Sequence, residues 1–360
     1  MSTKQLKKIG VLTSGGDAPG MNAAVRAVVC KATKAGLEVV GVKGGYRGLI
    51  DNDIIPLNPG IVSNITAISG TFLYTDRCDE FKTEAGMQKA IETCKKNNID
   101  AIVAIGGDGT FRGATDLANR GILTVGIPAT IDNDITATDY TIGFDTAMNT
   151  TLNMIDCLRD TCESHARLNV VEVMGRMCGD IAMLTAIASG SVTAVLTELP
   201  YSDEDVLERV KSAKAAGQRG MSLIVSEGVF TEDGKPYGEY IAKKIQAETG
   251  IETKFARFAH VVRGGKPTLR DRFYAAKMAA SAVDLLLEGK TNMVMVVKNG
   301  YSVPMDINFA LMTDRMYKGK LKDGDLDRFS VEEVYEMKAI CKARHDYIAR
   351  LQDVLHSTGI

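Results

Sequence analysis

The sequence predicts an α/β protein of two lobes, each a mainly parallel sheet flanked by helices. Three observations predict it. Short, β-branched apolar runs alternate with longer helix-period segments from end to end, the pattern of βαβ units with right-handed crossovers. Glycine, 35 of 360 residues, gathers at the ends of the apolar runs, where open α/β sheets place their ligand loops. The strand candidates outnumber what one tidy sheet holds, and 360 residues exceed what one hydrophobic core usually serves.

Taken in order, the strand candidates are Ile9–Thr13, Glu38–Val42, Ala101–Ile105, Leu123–Ile127, Val170–Val173, Ala194–Leu196, Leu223–Val225 and Met293–Val297. Each is short and mostly apolar, as strands buried on both faces read. Helix-period segments lie between them, among them Met21–Ala35, Thr146–Arg159, Asp203–Ala216 and Pro267–Glu288. The tail differs. Ser330-Val-Glu-Glu333 is a capping box, and apolar residues then recur at Val334, Met337, Cys341, Ile348, Leu351 and Leu355, interrupted by Arg344. This predicts a long amphipathic helix, docked on its own chain or forming a subunit contact.

Composition narrows the function classes. Lys+Arg 43 against Asp+Glu 45 leaves a net charge of −2, with no general attraction for nucleic acid or anionic lipid. No apolar run approaches the roughly 18–20 residues that span a bilayer. Met1–Lys8 is polar with no apolar segment behind it, so no secretory signal is read. The 7 cysteines are scattered without a C-x-x-C pair, which fits reduced thiols in a cytoplasm better than disulfides or a zinc site. The expectation is a cytoplasmic protein with neither a nucleic-acid nor a membrane partner.

Three loops, each following a strand, carry the chemistry. In the first, Ile9 to Asn22, Gly15 and Gly16 have no Cβ to hold a phosphate away from the main chain, so backbone N–H groups and a helix N-terminus can face an anion. The loop matches neither G-x-x-x-x-G-K-[ST] nor G-x-G-x-x-G, and a tight strand–helix turn explains it equally when taken alone. In the second, Ala101 to Ala114, Asp108 sits between glycines at a strand's carboxyl end, where a carboxylate can hold Mg²⁺ on phosphates or simply cap the next helix. In the third, Pro128 to Asp134, Asp132 and Asp134 are two apart and would point to one side of an extended segment. Such a pair suits a general base beside a metal or phosphate-organising group, and turn-forming Asp and Asn are the plainer alternative.

Together and in this order, the loops closely resemble those of the bacterial-type 6-phosphofructokinase family, over roughly residues 7–300. Gly70-Thr-Phe-Leu73 with Arg77, Asp139 to Phe144, Ser164-His-Ala-Arg167, Val171 to Arg176, Glu227 and His260 to Gly265 extend the match. The resemblance implies a Rossmann-like fold of that family's type, a nucleotide lobe over 1–143 and 262–303, and a sugar-phosphate lobe over 144–261 with 304–360. It implies Asp132 as the base toward the sugar 1-hydroxyl and Thr130 beside it. It implies Asp108 on Mg²⁺, with Asp134 as a second candidate there, and Gly16, Arg77 and Arg176 on the transferring phosphoryl group. Tyr46, Cys78, Gly109, Thr110 and Gly113 would complete the ATP pocket. Asp134, Met174, Gly175, Glu227, His260 and Arg263 would hold fructose 6-phosphate, joined from a neighbouring subunit by Arg167 and Lys254, in a homo-oligomer that is a tetramer in the family.

Three departures matter. Pyrophosphate-dependent members typically carry Asp where Gly109 stands and Lys where Ala129 stands, so ATP is favoured over pyrophosphate as donor. Lys254 replaces the usual arginine, keeping the charge and losing the bidentate fork. The family's basic effector cluster is reduced to Arg26 and Arg159, with Cys30, Pro59, Ala216 and Gln218 at its other positions, so insensitivity to anionic effectors is expected. A catalytically silent subunit is disfavoured by the joint presence of Gly16, Asp108, Asp132 and Arg176.

Overall fold

The computed structural model describes residues 6–358. In chain order the elements are β1 (Lys8–Ser14), α1 (Met21–Lys34), β2 (Glu38–Val42), α2 (Tyr46–Asp51), β3 (Ile54–Leu57), α3 (Glu84–Lys96), β4 (Ala101–Gly106), α4 (Asp108–Ala118) and β5 (Leu123–Pro128). There follow α5 (Phe144–His165), β6 (Leu168–Val173), α6 (Asp180–Ser189), β7 (Thr193–Val195), α7 (Asp203–Ala215), β8 (Met221–Ser226), α8 (Tyr237–Thr249) and β9 (Thr253–Arg257). The chain ends with α9 (Leu269–Leu287), β10 (Met293–Lys298), β11 (Tyr301–Asp306), α10 (Ile307–Tyr317) and α11 (Val331–Thr358).

Two sheets form. One has seven strands in the order β11-β10-β5-β4-β1-β2-β3 and is parallel except at its two edges, where β3 and β11 run antiparallel. The other has four parallel strands, β7-β8-β6-β9. Every strand expected from the sequence overlaps one of these. Three strands were not expected. β3 and β11 contain Pro56 and Pro304, which cannot donate a ladder hydrogen bond and belong at edges. β9 reads Thr-Lys-Phe-Ala-Arg and lies at the edge of the small sheet, so it lacks the apolar run of a central strand.

The chain divides into two compact units. The first holds residues through Ile131, Ile135–Asp145 and Gly265–Cys341; the second holds Asp132–Asp134, Thr146–Gly264 and from Lys342 onward. Residues 304–341, expected with the second lobe, therefore belong to the first. The reason is pairing: β11 completes the large sheet against β10, and Met337 of α11 packs with Phe309 and Met312 of α10. Conversely, the triplet Asp132–Asp134 groups with the second unit although both its flanks lie in the first.

Each unit has its own core. Leu12, Ile102, Phe111, Leu117, Val294 and Val296 are among the buried residues of the first, and Val170, Leu223, Val225, Ile241 and Ile245 of the second. The capping box of α11 is made, with the Glu333 N–H donating to Ser330 Oγ at 3.1 Å and the Ser330 N–H donating to Glu333 Oε2 at 2.8 Å. Met337, Cys341, Ile348 and Leu355 of its stripe are buried, so the helix docks on its own chain. No helix among the described residues is long and apolar enough to cross a membrane.

Candidate active site

In the first unit the carboxyl ends of β1 and β4 lie side by side, Ser14 opposite Gly106. A Cβ on Gly106 would sit 2.3 Å from the Ser14 carbonyl oxygen, so only glycine lets the strand ends approach this closely. The Thr110 hydroxyl donates to that same carbonyl at 3.0 Å, tying the first turn of α4 to β1. Thr75 donates to the Gly15 carbonyl at 2.7 Å, steadying the half-exposed Gly15–Gly16 turn ahead of α1. Space above α4 is open, since a Cβ at Gly107 or Gly109 would meet nothing within 4 Å.

Asp108 opens α4. One carboxylate oxygen accepts from the Gly109 N–H at 2.6 Å, and the other pairs with Arg112 at 2.6 Å. Among the described residues no cluster of three His, Cys, Asp or Glu could enclose a metal. A single carboxylate in an open, glycine-lined turn fits Mg²⁺, which takes one or two carboxylates and fills its remaining positions with phosphate oxygens and water. Tyr46 is placed deeper than a pocket-lining residue. It is 5% exposed, stacks on Phe81 at 4.2 Å, and donates its hydroxyl to the Thr110 carbonyl, while burial pushes its phenol pKa far up. A Cβ on Gly113 would lie 2.6 Å from that ring, so the glycine makes room for the tyrosine that supports the loop from beneath. Arg77 is exposed, and Cys78 packs partly against the first core. Thr130, just past β5, is nearly buried, and its carbonyl accepts from the Thr141 hydroxyl at 2.6 Å.

The second unit gathers charges at the carboxyl ends of β6 and β8. Asp132 is fully buried, and Arg176 reaches it with Nε at 3.2 Å from Oδ2 and reaches Asp134 with Nη1 at 3.9 Å. Arg263 Nη2 lies 4.0 Å from the other Asp132 oxygen. The expected extended segment is absent: Asn133, between the two aspartates, has a left-handed φ of +50°. The carboxylates converge because one guanidinium bridges them, and not through strand alternation. Arg176 is itself left-handed at φ +54°, next to Gly175 at φ +142°, where a Cβ would meet the Cys178 carbonyl at 2.4 Å. Glu227, directly after β8, accepts from both backbone N–H groups of this turn, Gly175 at 3.2 Å and Arg176 at 2.8 Å.

Other expected residues of this unit lie apart. Met174 is buried beside the turn, and His260 is exposed on the short 3₁₀ segment Ala259–Arg263. Arg167 precedes β6 and Lys254 lies opposite Asn169 near the same amino end. Glu252 pairs with both, at 2.7 Å and 3.0 Å, and their hydrogen bonds pull its carboxyl down to about 2. Residues that sequence reasoning missed are Thr75, Glu227's backbone role, Glu252, Asp180 and Asn133. For Asn133 a signal existed, because asparagine, here between two candidate aspartates, is a residue that tolerates positive φ.

The chain thus has two α/β units, with glycine turns and carboxylates at strand carboxyl ends. A family model described as Phosphofructokinase matches residues 8–286. The chain belongs to the phosphofructokinase family. It is 46% identical over 318 residues to the ATP-dependent 6-phosphofructokinase of Clostridium botulinum, covering 88% of this chain and 98% of that protein. It is 48% identical over 303 residues to the enzyme of the same name from Shouchella clausii, covering 84% and 93%. The phosphofructokinase structure from Saccharomyces cerevisiae superposes with a TM-score of 0.82 at 30% identity, over 92% of this chain and 49% of that one. A pyrophosphate-dependent phosphofructokinase from Marinobacter aquaeolei shares the fold at a TM-score of 0.73 and 22% identity, over 84% of this chain and 83% of that one.

Proposed function

We propose that this protein transfers the γ-phosphoryl group of ATP to the 1-hydroxyl of fructose 6-phosphate, giving fructose 1,6-bisphosphate and ADP. The observation that carries the reading is the buried Asp132 carboxylate held against Arg176 and Arg263. Phosphoryl transfer needs positioning and cations around a charge-rich transition state more than a covalent nucleophile. Asp132 takes the proton from the attacking hydroxyl, and Thr130 orients that hydroxyl. Arg176, with Gly16 and Arg77, stabilises the moving phosphoryl group. Asp108 would hold Mg²⁺, which when bound would neutralise charge on the nucleotide phosphates. Thr110, Gly109 and Gly113 shape the nucleotide side, with Tyr46 and Cys78 behind them. Asp134, Met174, Gly175, Glu227, His260 and Arg263 take the sugar phosphate.

Gly109 supports ATP as donor over pyrophosphate: its side is open, and no carboxylate stands there to repel the α-phosphate. The ATP-dependent relatives share nearly half of the sequence, whereas the pyrophosphate-dependent structure shares the fold alone. Arg167 and Lys254 support an oligomer. They sit near the amino end of β6, whose 6 residues span roughly 20 Å, while Gly175 and Arg176 follow its carboxyl end. Cations so separated within one chain serve one sugar phosphate only when supplied by a second copy, and a homotetramer is the assembly proposed. Asp132→Asn tests the mechanism: kcat should fall by several orders of magnitude with fructose 6-phosphate binding retained. Unchanged kcat would overturn it.

A further inference from the structure

The apolar stripe of α11 is broken once, at Arg344, and that side chain has a defined destination. Its Nη2 lies 2.6 Å from Asp180 Oδ2, with both side chains nearly buried. The same Asp180 oxygen accepts from the Asn133 side-chain amide at 2.7 Å, and Arg344 Nη2 also reaches the Asn133 backbone carbonyl at 3.3 Å. Asn133 is thereby gripped by side chain and main chain at once. It is 2% exposed, left-handed at φ +50°, and stands between Asp132 and Asp134.

We propose that Arg344 is a positioning residue for the phosphoryl-transfer reaction: acting through Asp180, it fixes the left-handed turn at Asn133 that presents the flanking carboxylates to Arg176. The proposal rests on the reading of Asp132 as the base. The directions of two side chains that flank one residue depend on that residue's φ and ψ, so relaxing Asn133 to an ordinary conformation turns both aspartates away from the guanidinium. Removing Arg344 also strips the partner cation from a buried carboxylate, and Asp180 can no longer be held where Asn133 needs it. Arg344 lies beyond residue 286, where the matched family region ends. The tail helix, on this view, contributes to the active site as well as covering the body.

The test uses the full-length protein, with kcat, KM for fructose 6-phosphate and MgATP, the pH profile of kcat and Tm measured together. Arg344→Met and Asp180→Asn should each lower kcat tenfold or more, leave KM for MgATP within twofold, and displace the acidic limb of the pH profile. Arg344→Lys should recover part of the loss. His356→Ala removes a different tail contact, 3.1 Å to Arg209, and should leave kcat within twofold. Should Arg344→Met fail to fold, Arg344→Lys and Asp180→Asn carry the same comparison. Variants that lower Tm while kcat and its pH profile stay unchanged overturn the proposal, provided Asp132→Asn is inactive. An active Asp132→Asn overturns the reading of the base itself, and the positioning role with it.

Discussion

Glu227 offers the sharpest test of how Arg176 is held in its proposed phosphoryl-binding place. One of its carboxylate oxygens accepts from two successive N–H groups, at Gly175 and Arg176, and Arg176 sits at φ +54°. A left-handed conformation costs a residue with a side chain roughly 1–2 kcal/mol. Hydrogen bonds to a charged group contribute about 1.5–3 kcal/mol each, so the pair outweighs the backbone strain. Glu227→Ala removes both bonds and leaves the strain, so the competent conformation of Arg176 becomes the minor one by about 1–2 kcal/mol, a factor of about 5–30. Initial rates of ADP formation, with fructose 6-phosphate varied at saturating MgATP, should show kcat reduced by that factor. Glu227→Gln keeps an acceptor oxygen of roughly half the strength, so it should lose less than about fivefold. The ranking Glu, Gln, Ala in kcat is the signature of a held backbone. A Glu227→Ala enzyme with kcat within twofold and only KM for the sugar raised would refute the reasoning and leave Glu227 as a sugar contact.

Two further predictions concern charge and thiols. Glu252 titrates at about 2 because Arg167 and Lys254 hydrogen-bond its ionised form. The stability it contributes is complete above the ordinary glutamate value of 4.5 and is lost as the pH falls from there through about 2. The Tm difference between wild type and Glu252→Gln should therefore hold steady down to about pH 5 and vanish near pH 2; a difference already gone at pH 5 counts against the ion triad. Burial raises the thiols of Cys94 to about 12 and Cys341 to about 11, whereas Cys157 is exposed. Iodoacetamide at pH 8.5 should label Cys157 first in the native enzyme, and mass mapping that finds Cys94 modified as fast would contradict the packing of α3.

The parts legible in the sequence were those whose cause is local. A central strand such as β4 reads apolar at nearly every position because both of its faces are buried, and glycines stand at its carboxyl end. The edge strands β3, β9 and β11 escaped because, among the described residues, one side of each has no ladder partner, which tolerates Pro56, Pro304 and the charges of β9, whereas the apolar edge strand β7 was legible. At the candidate site, the motifs nominated Asp108, Asp132 and Arg176, but the reason Asp132 and Asp134 converge was not legible. Strand alternation would have sufficed, and the chain instead uses a left-handed asparagine and a bridging guanidinium. Such a turn costs backbone energy that only partners distant in sequence can offset: Asp180 and Arg344 for Asn133, Glu227 for Arg176. Asp180 looked unremarkable in sequence, Glu227 stood out only as a sugar contact, and Arg344 showed as an arginine set into an apolar helical stripe. A charge in that position must be paired inside the fold or face solvent, and the choice made here joins the last helix to the loop that carries Asp132.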